Sequence, residues 1–94
     1  MKFGLREEIY NKIKKITQKY NYKFIIFGSR ARGDYKNNSD IDIAVLGEIS
    51  DEDFYKIQND FDSIDMEYML DIVFENKVEN TELLENIKKE GILI

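Results

Sequence analysis

Ten residues separate Gly28-Ser29 from Asp40-Ile41-Asp42 in the stretch GSRARGDYKNNSDIDIAV. A glycine turn that admits a phosphate group, next to two carboxylates on one strand face, is equipment for holding a nucleoside triphosphate with its metal ions. The chemistry to which these residues point is nucleotidyl transfer.

Alternation along an extended strand puts Asp40 and Asp42 on one side and Ile41, Ile43 and Val45 on the other. One face is then apolar and the other acidic. Carboxylates at i and i+2 stand about 6.5–7 Å apart at their Cα atoms, within reach of ions spaced roughly 3.5–4 Å as in two-metal sites. Hard oxygen ligands suit Mg²⁺, with Mn²⁺ as the alternative. Alone, an Asp-x-Asp pair more often marks a solvated acidic edge strand, so the segment before it matters.

Phe24-Ile25-Ile26-Phe27 is a continuous apolar run and reads as a strand buried on both faces. It stops at Gly28, where the backbone can bend sharply and approach a ligand, and Ser29-Arg30-Ala31-Arg32 can wind into a short helical turn before Gly33. Amides at the head of that turn and the Ser29 hydroxyl form an anion site, to which Arg30 and Arg32 add charge-assisted donors. Ser39, beside the first aspartate, joins Gly28, Ser29, Arg30 and Arg32 as a nucleotide-binding candidate. Tyr35, in the same loop, is a candidate either for stacking on a base or for half-burial.

A third carboxylate would complete the site. Met66 to Phe74 reads as another strand, with Leu70, Ile72 and Phe74 on one face and Asp71 on the other. Glu67 shares the face of Asp71 and competes with it for the role. If this strand lies beside the Asp40 strand, Asp71 could ligate the ion that activates an attacking hydroxyl.

GSRARG, then SDIDI, then LDIV resemble the minimal nucleotidyltransferase domain of the DNA polymerase beta superfamily, over nearly the whole chain. The resemblance implies a nucleotidyltransferase fold: one α/β (α+β) domain over residues 1–94, with a small mixed sheet flanked by helices. It implies that Gly28 and Ser29 bind triphosphate oxygens, that Arg32 supports them, and that Asp40, Asp42 and Asp71 are catalytic and hold two Mg²⁺ ions. Minimal relatives of this kind act as antitoxins that transfer AMP from ATP onto a HEPN ribonuclease toxin, with a tyrosine hydroxyl the expected acceptor. An antitoxin that neutralises by binding alone and a nucleotidyltransferase acting on a small molecule are the alternatives.

Composition narrows the chemistry by exclusion. Histidine and cysteine are absent, which removes Ser-His, Cys-His and histidine-zinc catalysis and any disulfide framework. No apolar run approaches a membrane span, and MKFGLREE lacks the apolar stretch of a signal peptide, so a cytoplasmic location is expected. A formal charge of -5 argues against broad nucleic-acid binding and favours a basic protein partner, with a homo-oligomer left open. Lys12, Lys14, Lys15, Lys19 and Lys23 concentrate positive charge locally and read as a solvated helix face.

The elements that must position these residues are legible too. Leu5, Ile9, Ile13, Ile16 and Tyr20 recur at helical spacing and predict an amphipathic first helix ending near Asn21. Ser50 can cap a second long helix whose first turn carries Asp51, Glu52 and Asp53, and whose buried face is Phe54, Ile57, Phe61 and Ile64. Asn80 or Thr81 starts a last helix that uses Leu84 and Ile87 and ends at Gly91. Ile92, Leu93 and Ile94 are left to pack on the sheet or to meet another subunit. Gly33 to Ser39 is too short and polar for a helical crossover, so the acidic strand should run antiparallel to its predecessor.

Overall fold

A computed structural model describes residues 2–94. After a short turn at Lys2–Gly4, the elements are α1 (Glu7–Gln18), β1 (Lys23–Phe27), the single turn α2 (Ser29–Arg32), β2 (Ile41–Leu46), α3 (Asp51–Asp62), β3 (Leu70–Phe74), α4 (Thr81–Glu90) and β4 (Ile92–Leu93). A further 3₁₀ turn at Glu75–Lys77 leads from β3 towards α4. The sheet order is β3-β2-β1-β4, a small mixed sheet flanked by helices as expected.

The helices begin where local chemistry supplies an acceptor. Ser50 takes the Asp53 amide at 3.1 Å at the head of α3, and Asn80 takes the Leu83 amide at 3.1 Å at the head of α4. Each such cap is worth about 1 kcal/mol. The three acidic residues in the first turn of α3 add favourable interactions with the helix dipole. Helix α1 ends at Gln18, one turn earlier than its apolar spacing suggested.

One face of the sheet carries the main core. Phe24 and Ile26 of β1, Ile41, Ile43 and Val45 of β2, and Phe74 of β3 pack with Leu5, Ile9, Ile13 and Ile16 of the first helical segment and with Ile57 and Phe61 of α3. The alternate residues of β1, Ile25 and Phe27, are only half-buried, so this strand is buried fully on one face rather than on both. Ala44 is buried on the opposite face of β2, the face to which Asp42 belongs.

Strand β2 runs antiparallel to β1, as the short polar connection requires, with Phe27 opposite Asp42. It runs parallel to β3, with Asp42 opposite Asp71. One expectation is corrected here and one open alternative is resolved. The third strand covers only Leu70–Phe74, so Met66 to Met69 lie outside it, and Met69 is 73% exposed. The apolar end segment forms β4, an edge strand: Ile92 pairs with Ile26, Leu93 with Ile25, and the Ile94 amide donates to the Phe24 carbonyl at 2.9 Å.

Candidate active site

Four short segments meet at one end of the sheet. The end of β1 turns at Gly28 into α2, β2 enters through Asp40, and β3 enters through Leu70 and Asp71. Gly28 has φ 74 and ψ -155, a backbone region closed to side chains, and a Cβ there would run into Oδ2 of Asp42. The missing side chain is what lets the turn close over the carboxylate. The Gly28 carbonyl accepts the amides of Ala31 and Arg32, both at 3.1 Å, which closes α2 and leaves the Ser29 and Arg30 amides without a partner inside the turn.

The three predicted aspartates come together. Asp42 and Asp71 are register partners on neighbouring parallel strands, and Asp40 lies just ahead of β2. The Ile41 amide donates to the Met69 carbonyl at 2.8 Å, which continues the pairing to the mouth of the two strands. Asp42 is half-buried, whereas Asp40 and Asp71 are exposed. Burial raises the Asp42 carboxyl above the ordinary aspartate value, the negative charges of Asp71 and Asp40 raise it further, and Arg32 pulls it back. Asp42 therefore feels the charges of both neighbouring aspartates, with Arg32 as the counter-charge.

Arg32 sits at the rim. Its guanidinium is 3.4 Å from Asp34 and 3.4 Å from Glu90 at the end of α4. Glu90 is a neighbour that sequence reasoning missed, since nothing local relates positions 58 residues apart. Glu67, the competitor of Asp71, lies outside β3 and is engaged by a two-pronged contact with Arg6, at 2.9 Å for each hydrogen bond.

Arg30 and Ser39 do not take the expected places. The Arg30 side chain is 2% exposed and points inward, donating to the carbonyls of Phe3, Asn37 and Ser39, so it does not present its guanidinium to a bound nucleotide. The Ser39 hydroxyl accepts the Lys36 amide at 2.8 Å and closes the loop. Tyr35 is turned to the Arg30 guanidinium, 5.1 Å from its ring centre, and its ring lies against Gly4. Physically, an arginine whose surroundings offer several carbonyls and two aromatic rings finds an acceptor for each of its three nitrogens inside the protein.

Among the described residues, no three His, Cys, Asp or Glu side chains close around one point as a finished cation cage. The donor set still fits Mg²⁺ or Mn²⁺. All three groups are hard oxygen donors, the charges of Asp40 and Asp71 bear on Asp42, and Mg²⁺ binds typically through one or two carboxylates plus substrate phosphates. An open carboxylate set beside a phosphate-sized turn is the arrangement this requires.

Residues 11–94 match the model of the family described as polymerase beta, nucleotidyltransferase. A crystal structure of a toxin–antitoxin with AMP-PNP superposes with a TM-score of 0.67 at 26% identity, over 88% of this chain and 69% of that one. A Sulfolobus solfataricus protein assigned as a nucleotidyltransferase superposes with a TM-score of 0.53 at 24% identity, over 92% of this chain and 76% of the other, and shares the fold. A search of curated proteins gave no match.

Proposed function

This chain belongs to the polymerase beta nucleotidyltransferase family, and from that premise we propose that it transfers AMP from ATP to a hydroxyl of a partner protein, acting as an antitoxin. The observation that carries the reading is the register pairing of Asp42 with Asp71 beside the Gly28 turn. The toxin–antitoxin structure with AMP-PNP supports both the nucleotide and the class of partner. The resemblance points further to a HEPN ribonuclease toxin and to a tyrosine hydroxyl as acceptor.

In this mechanism the Ser29 hydroxyl and the free amides of α2 bind triphosphate oxygens, and Arg32 exchanges its contacts with Asp34 and Glu90 for phosphate. Asp40, Asp42 and Asp71 would hold Mg²⁺, which when bound supplies charge neutralisation for the attacking and leaving oxygens. The acceptor hydroxyl gives up its proton to solvent or to a site carboxylate and attacks the α-phosphorus in line, the bond to the bridging oxygen breaks, and pyrophosphate leaves with its electron pair. The protein's contribution is positional and electrostatic, and no covalent enzyme intermediate is required.

The test incubates the purified protein with Mg²⁺ and α-phosphate-labelled ATP in a lysate of its source, beside Asp42→Asn. Label on a small protein with wild type only establishes the transfer and identifies the acceptor. Absence of label on protein, nucleic acid or metabolite in both samples overturns it in favour of neutralisation by binding.

A further inference from the structure

We propose that Arg30 is a positioning residue for the candidate carboxylates, tying the glycine turn to the backbone that carries Asp40 and, through Tyr68, to the approach of the strand that carries Asp71. The inference deepens the nucleotidyl-transfer reading and rests on it.

The contacts of Arg30 converge on chain segments that the sheet does not hold. Asp40 precedes β2, so strand pairing begins one residue after it. The carbonyl immediately before it, that of Ser39, receives two bonds from Arg30, at 3.2 Å from Nε and 2.8 Å from Nη2. Nη2 also reaches the Asn37 carbonyl at 3.3 Å, and Nη1 reaches the Phe3 carbonyl at 2.9 Å. Tyr68, two residues ahead of β3, lays its ring 4.8 Å from the guanidinium carbon, with Tyr35 on the same group at 5.1 Å. Arg30 itself belongs to α2, directly after Ser29. One buried side chain thus links the phosphate turn, the entry to Asp40 and the approach to Asp71.

The chemistry of the anchor favours arginine over lysine. Several donors in a rigid plane can serve three carbonyls while two tyrosine rings lie within cation–π distance of the guanidinium, and an ammonium offers no such fork. Residues that orient metal ligands without touching the metal change metal affinity or activity by about 10–100-fold when replaced.

The experiment compares wild type with Arg30→Lys, Arg30→Met and Tyr68→Leu at a temperature where circular dichroism shows each folded. Mn²⁺ binding in the presence of ATP is followed by electron paramagnetic resonance, turnover by label transfer, and the Asp40 and Asp71 amides by NMR. Arg30→Lys is expected to bind Mn²⁺ or turn over roughly 10–100-fold less well. Its KM for ATP should change little, and both amide resonances should move. Should Arg30→Met fail to fold, Arg30→Lys and Tyr68→Leu carry the comparison. A folded Arg30→Lys with unmoved Asp40 and Asp71 resonances overturns the inference. So does one with moved resonances but wild-type Mn²⁺ binding and turnover. A wild type that neither binds Mn²⁺ with ATP nor transfers label defeats the nucleotidyl-transfer reading instead, and the NMR comparison still decides whether Arg30 positions these two residues.

Discussion

Replacing Gly28 by alanine should damage stability and activity for two separable reasons. The first is backbone strain. At φ 74 and ψ -155 an alanine occupies a region used almost solely by glycine, at a cost of about 1–3 kcal/mol. For a domain of this size roughly 4–8 °C of Tm is lost per kcal/mol, so a fall on the order of 10 °C is expected. The second is crowding: the new methyl meets Oδ2 of Asp42, with the carboxyl carbon only 3.3 Å away. A carboxylate at the end of a side chain can rotate aside, so this adds about 0.5–1.5 kcal/mol of rotamer strain and re-aims the group. Misplacement of about 1 Å in a reacting constellation can cost 10²-fold in rate. Gly33 is an internal control, since at φ 96 it has nothing within 4 Å of an added Cβ. Thermal unfolding and label transfer would be measured for Gly28→Ala, Gly33→Ala and each combined with Asp42→Ala. Gly28→Ala should lose stability and about 10²-fold in rate, whereas Gly33→Ala loses stability alone. Asp42→Ala should recover part of the stability loss in the first background and none in the second. Wild-type Tm and rate in Gly28→Ala, or strict additivity with Asp42→Ala, would refute the close approach of turn and carboxylate.

Asp42→Asn should change how stability varies with pH in the metal-free protein. Because the folded state raises the Asp42 carboxyl above its ordinary value of 3.8, its favourable contribution is full below that value and is lost as pH rises through the raised one. The Tm difference between Asp42→Asn and wild type should therefore grow in favour of the variant over that window, and identical profiles by scanning fluorimetry would contradict it. Ser29→Ala should leave Tm nearly unchanged, because the Gly33 amide that closes α2 bonds to the Ser29 main-chain carbonyl, at 2.8 Å. It should weaken ATP binding about 10–100-fold, the worth of a hydrogen bond to a charged group, as read by calorimetry. A large fall in Tm would show that Ser29 is structural.

What the chain determined by itself was whatever depends on residues a few positions apart. The period of Leu5, Ile9, Ile13 and Ile16 follows from helix geometry, and the Ser50 and Asn80 caps bond three residues ahead. The opposite faces of Ile41 and Asp42, and the end of β1 at Gly28, follow from strand alternation and from a backbone conformation only glycine adopts readily. Tertiary structure decided the matters in which distant segments compete for the same group. Parallel pairing sets Asp71 opposite Asp42, while Arg6, 61 residues from Glu67, pairs with the other candidate carboxylate. Arg30 and Arg32 are neighbours in type and position, yet one is buried among the carbonyls of Phe3, Asn37 and Ser39 and the other lies at the rim between Asp34 and Glu90. Local sequence cannot separate two such arginines, because the direction of a long charged side chain depends on which acceptors the fold brings within reach.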